Sequence, residues 1–181
     1  MRIIMLPVKD HARINKLCTC LVAIFFSIPA LAESTAININ GNIIASPCNV
    51  DTDTVNKTVD LGEGRVREMS VAGAGGEWAH FELLLTNCPA ATVGATVTFS
   101  GTPDDDDATA FKNSADATGI ALRLASRDRA TTYQNDSTMT QTIDTATHSA
   151  TFPLSARMFS PKGNPTSGQF AAAVNVSFTY Q

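Results

Sequence analysis

The chain has 181 residues, 44% of them hydrophobic and 17% charged, with a formal net charge of −4. That length fits one domain able to bury a core, and the apolar content excludes wholesale disorder. The body carries no Lys/Arg cluster, which argues against nucleic acid as partner, because phosphate binding needs a basic surface.

The chain opens with Arg2, Lys9, Arg13 and Lys16 against one acid, Asp10, followed by an apolar run from Leu17 to Ile28. Ala30-Leu31-Ala32 closes this segment with a small-x-small ending. These are the parts of a secretory signal peptide over residues 1–32, with cleavage expected before Glu33. The run is too short to span a bilayer, which takes about 20 apolar residues, so no membrane span is expected in the mature chain. Cys18 and Cys20 sit at the start of the apolar run, which fits a lipoprotein signal poorly. Removing the segment leaves 9 basic residues against 16 acids, a net charge of −7, and two of the four cysteines. Cys48 and Cys88, alone together in an oxidising compartment, are expected to form a disulfide. A two-thiol metal site has no companions, since the remaining histidines, His80 and His148, are near neither cysteine.

Along the mature chain, period-2 alternation recurs and helical periodicity is nearly absent, which predicts an all-β fold. Thr35, Ile37, Ile39, Gly41 and Ile43 fall on one face of the first such stretch. It reads either as a first edge strand or as a strand supplied to another molecule; alternation alone favours the former. Val59-Asp60-Leu61 is a short strand candidate, and Gly64 to Ala72 has room for one helical turn. Phe81-Leu83-Leu85, Val93-Ala95-Val97-Phe99, Ile120-Leu122-Leu124 and Ala150-Phe152-Leu154-Ala156-Met158 alternate clearly. Pro153 lacks the N–H a ladder needs, which predicts an edge or a bulge there. The last stretch is the clearest: Phe170, Ala172, Val174, Val176, Phe178 and Tyr180 share one face. Gly73-Ala74-Gly75-Gly76, Ser100 to Asp104 and Ser160 to Pro165 supply turns between these runs. Short strands separated by turn signals point to a sandwich.

No catalytic constellation emerges. The chain has no Gly-x-Ser-x-Gly elbow, no His-Glu-x-x-His and no phosphate loop. Gly73–Gly76 reads as a flexible turn, and Asp104 to Asp107 as a solvated loop tip in preference to a calcium site. His80 and His148 read as surface or packing residues. Neither an enzyme nor a metal or cofactor is indicated.

Several segments taken together resemble the bacterial chaperone–usher pilins. They are Gly41-x-Ile43…Cys48-x-Val50, Val59-Asp60-Leu61-Gly62, and Phe81-x-Leu83-x-Leu85-Thr86-Asn87-Cys88. Val97-Thr98-Phe99-Ser100-Gly101, Gly119-Ile120-Ala121-Leu122 and Phe152-Pro153-Leu154-Ser155-Ala156-Arg157 continue the match. Its most specific part is the end, where Gly168 precedes an alternating strand with a penultimate aromatic, Tyr180. Glu33 to Val50 and Thr86-Asn87-Cys88-Pro89 place it nearest the minor tip subunits of type 1 fimbriae. A shaft pilin of the same family and a carbohydrate-binding adhesin are the alternatives, with a periplasmic enzyme further off.

The resemblance implies an incomplete immunoglobulin-like β-sandwich lacking its seventh strand, with an N-terminal donor strand. Residues 33–46 would form the donor extension and residues 47–181 the pilin domain. Thr35, Ile37, Ile39, Gly41 and Ile43 would enter a neighbour's groove, with Gly41 at a narrow pocket. Phe170, Ala172, Val174, Val176 and Phe178 would wall this chain's own groove, and Gly168 and Tyr180 would belong to the chaperone-recognition motif. The implied partners are a periplasmic chaperone, an outer-membrane usher and neighbouring fimbrial subunits. The implied route runs through the periplasm to a fimbrium at the cell surface.

Overall fold

A computed structural model describes residues 47–181. The signal segment and the donor-strand residues Thr35, Ile37, Ile39, Gly41 and Ile43 lie outside the described residues. The elements in chain order are β1 (Asn49–Val50), α1 (Thr52–Val55), a 3-10 turn (Val66–Met69), β2 (Ala79–Thr86) and β3 (Gly94–Ser100). β4 (Phe111–Lys112), β5 (Ala121–Ser126), β6 (Thr132–Tyr133), β7 (Thr138–Thr142), β8 (Ala150–Phe159) and β9 (Asn175–Tyr180) follow.

The strands form two antiparallel sheets, an immunoglobulin-like sandwich. The larger runs β1-β2-β8-β5-β4 with β6 on β5, and the smaller runs β7-β3-β9. Each long strand turns alternate apolar residues inward, as period-2 patterning requires. Leu83 and Leu85, Phe152 and Leu154, and Leu124 come from the larger sheet; Ala95, Val97 and Phe99 come from the smaller. Together they make one core in which Phe99 stacks against Tyr133 at 5.0 Å between ring centres. Cys48 and Cys88 are joined in a disulfide that brackets the β1–β2 pairing, where Asn49 lies opposite Thr86.

Three expectations need correction. Val59-Asp60-Leu61 is not a strand: the stretch from 57 to 65 forms no ladder, although Leu61 packs on the core. Pro153 is at neither an edge nor a bulge but in β8, the most central strand of the larger sheet. Its carbonyl accepts from the Arg127 N–H, so its nitrogen also faces the β5 side. The β5 ladder ends one residue earlier, at Ser126 opposite Leu154, so the missing N–H costs no ladder bond. Finally, the last strand starts at Asn175, because residues 168–174 pair with a loop and not with a sheet. The helical turn foreseen between Gly64 and Ala72 is present as Val66–Met69.

Candidate functional site: an apolar cleft along an open sheet edge

Among the described residues, β9 has a sheet neighbour on one side only. Asn175, Ser177 and Thr179 lie opposite Ser100, Thr98 and Thr96 of β3. The next pair along, Gln181 with Gly94, exchanges both backbone bonds at 2.9 and 3.3 Å. Counting back in twos, Thr179, Ser177 and Asn175 spend their backbone groups on β3, as antiparallel alternation dictates. Tyr180, Phe178 and Val176 therefore direct N–H and C=O to the opposite edge, where no described strand lies. The alternation continues upstream. Ala171 and Gln169 accept from the Ser114 and Ala117 N–H groups, and donate to the side chains of Asn113 and Asp116. Phe170, Ala172 and Val174 again face the open side.

That open edge is one wall of a cleft of about 1230 Å³. The stretch from Thr54 to Gly64 forms the other wall, with Val59 and Leu61 on its lining. Leu83, Leu124, Leu154 and Phe99 form the floor, and Met69, Ile120 and Met158 extend it at the Gly168 end. Of the residues expected to wall a groove, Gly168, Phe170, Ala172, Val174 and Val176 line it. Phe178 and Tyr180 continue the same row but pack onto the core beyond the cleft, Phe178 against Phe152 at 5.6 Å. All six apolar residues from Phe170 to Tyr180 are only half-buried.

Two local features shape the cleft's ends. A Cβ on Gly168 would stand 2.8 Å from the Ala117 nitrogen, so glycine lets this wall lie against the 113–118 loop. At the other end the Tyr180 hydroxyl lies 3.5 Å from the Cys48 carbonyl, and burial pushes its phenol pKa up. The disulfide is thus at the root of both walls. Patterning missed the second wall, since Val59 and Leu61 alternate but have no partner; their spacing was the only available signal.

The remaining candidates fall elsewhere. The four acids from 104 to 107 are engaged within the chain: Asp105 binds Lys112 and Asp107 binds Arg123, each at 2.6 Å, and Lys162 binds Asp106. The Asp104 carboxylate accepts from the Asp106 and Asp107 amides. Burial raises the Asp107 pKa, but hydrogen bonds from Thr109 and the Arg123 guanidinium outweigh it and hold the carboxyl below its usual range. The His80 Nδ1 lies 2.7 Å from the Ser155 Oγ, on the outer side of the larger sheet. Ser155 is fully buried, so this pair offers no reachable nucleophile. No cluster of metal-ligating side chains occurs among the described residues. Nor is any described helix long and apolar enough to cross a membrane.

Comparisons with known proteins agree with this geometry. A family model described as "Fimbrial protein" matches residues 37–181. Protein FimG of Escherichia coli (strain K12) is 36% identical over 160 residues, covering 85% of this chain and 93% of that protein. S-fimbrial adhesin protein SfaS of Escherichia coli O6:K15:H31 is 37% identical over 153 residues, covering 83% and 88%. The P pilus rod subunit PapA, at 18% identity, shares the fold with a TM-score of 0.63, over 75% of this chain and 100% of that one. An incomplete antiparallel sandwich with an apolar cleft at its open edge, together with these likenesses, identifies the chain as a member of the fimbrial protein family, a structural subunit of a pilus.

Proposed function

We propose that the cleft receives a β-strand from another polypeptide, so that the subunit polymerises by donor-strand complementation. One observation carries the reading: along the wall from Phe170 to Val176, alternate residues that line the cleft also turn their backbone groups to a side where no described strand lies. A strand laid there gains main-chain hydrogen bonds along its length, while its alternate side chains fill the floor and fix the register. Left empty, the same edge is an aggregation hazard, which calls for a chaperone strand before assembly and a subunit strand afterwards.

The chain's own extension, residues 33–46, acts as donor to the next subunit through Thr35, Ile37, Ile39, Gly41 and Ile43. Burial of its isoleucines contributes about 1.5–3 kcal/mol each, before ordering costs. The likeness to FimG over most of both chains supports a minor subunit near the fimbrial tip. In this reading the subunit passes through the periplasm on a chaperone, is handed over at an outer-membrane usher, and supports adhesion without catalysis. Co-expression of the mature chain with and without a pilus chaperone tests this. Recovery as a one-to-one soluble complex only in the chaperone's presence is expected; a stable soluble monomer without it overturns the reading.

A further inference from the structure

The long wall of the cleft is held in two different ways. β3 stops at Ser100, opposite Asn175, so it gives no partner to the wall upstream of β9. There the loop from 113 to 118 takes its place. Its backbone supplies only half of a ladder: the Ser114 and Ala117 N–H groups donate to the Ala171 and Gln169 carbonyls at 2.7 and 3.1 Å. The other half comes from side chains. Asn113 Oδ1 accepts from the Ala171 N–H at 2.9 Å, and Asp116 Oδ1 accepts from the Gln169 N–H at 2.5 Å. Two side-chain oxygens thus stand where a neighbouring strand would present main-chain carbonyls.

The loop is itself braced. Asn113 spends its whole amide: Oδ1 also accepts from the Ala115 N–H at 3.1 Å, and Nδ2 donates to the Ala117 carbonyl at 2.7 Å. At the far end the Thr118 N–H donates to the Thr166 Oγ1 at 2.8 Å, and the Thr166 N–H to the Thr118 carbonyl at 3.0 Å. Ala117 is buried with Ile120 and Met158 in the cluster against which Phe170 packs, so one loop sets both the wall and the floor beneath it. Asp116 differs from Asn113. It is exposed, and among the described residues the Gln169 N–H is the one partner of its carboxylate. Resting on the reading that the cleft takes up a strand, we propose that Asn113 and Asp116 are positioning residues for that uptake. They hold Gln169 and Ala171 extended, so that Phe170 and Ala172 offer their backbone groups in line with those of Val176 and Phe178. Ordering this segment in advance removes an entropy cost that the incoming strand would otherwise meet.

The test challenges the chaperone-bound subunit with a synthetic peptide of residues 33–46 and follows chaperone release against release without peptide. Asp116→Ala is expected to slow uptake roughly fivefold or more, as loss of one hydrogen bond to a charged acceptor implies. At saturation the Phe178 amide should be as protected from hydrogen exchange as in the parent, while that of Phe170 exchanges faster. A general loss of stability would move both. Asp116→Asn keeps an oxygen in the same place and should restore the parent rate and protection. Asn113→Ala should act in the same direction and more strongly; Asp116 is exposed, so the test stands even if that variant misfolds. Parent-like uptake in Asp116→Ala, equal loss of protection at Phe170 and Phe178, or no rescue by Asp116→Asn overturns the proposal. Failure of the parent to take up the peptide counts against the cleft reading instead. The positioning role is then decided in the subunit before any peptide is added. There the Gln169 amide should exchange slowly in the parent and fast in Asp116→Ala, and equal exchange overturns it.

Discussion

β8 is flanked by β2 and β5, and its inward residues Phe152 and Leu154 have no exposed surface. β9 carries an equally regular alternation, yet among the described residues it is paired only by β3, and each of its inward residues stays half-buried. The two strands face the same core, and Phe152 touches Phe178 across it. What separates them is the lateral neighbour, which sets how much water a side chain sheds and whether its backbone is satisfied. A sheet can therefore be stable through one strand and reactive through another.

The sharpest way to break this contrast is to truncate matching positions. Phe152→Ala in β8 is expected to cost about 3–5 kcal/mol of stability, measured by urea unfolding of the chaperone-bound or peptide-filled subunit. Val176→Ala in β9 should cost much less in the chaperone-bound body and show instead as faster loss of a bound donor peptide. Equal stability losses would remove the distinction. Cys48→Ser with Cys88→Ser comes next: opening a link between residues 40 apart costs about 4 kcal/mol in the loop-entropy account, read by the same unfolding experiment. An unchanged midpoint would mean that the root of the two walls needs no staple.

Gly168→Ala places a methyl 2.8 Å from the Ala117 nitrogen and should cost about 1–3 kcal/mol while slowing strand uptake. Uptake at the parent rate would show that the wall has room there. The smallest effect concerns acid. Asp107 has a lowered folded-state pKa, so the stability it contributes is present above its unfolded pKa and is lost as pH falls through the folded value. Asp107→Asn should remove that part of the acid dependence, within about 1 kcal/mol, in thermal melts across the carboxylate range. A parent-like pH profile in the variant would contradict it.

The long strands were readable because Leu83, Val97, Leu124 and Leu154 recur every second residue, and burial of one face leaves that trace. β7 was not, since its run Thr138–Thr142 holds one apolar residue, Met139, and it is held by backbone pairing with β3. Pro153 misled because a proline's tolerance depends on which neighbour its nitrogen faces, and that is a property of register. In the cleft, alternation gave the wall from Phe170 to Val176 but not the open edge among the described residues, which depends on sheet order. The wall at Val59 and Leu61 looked like a strand because it alternates, yet it pairs with no described strand. The brace at Asn113 and Asp116 was invisible for a related reason: these side chains meet Ala171 and Gln169 only in the folded chain.

Amide hydrogen exchange along the last strand tests the central claim most directly. In the subunit separated from its chaperone under conditions that keep it soluble, the amides of Val176 and Phe178 should exchange fast while those of Ser177 and Thr179 stay protected. Adding a donor strand should protect all four. Uniform protection before any strand is added would mean that the edge is already closed, and the account of an open cleft would be wrong.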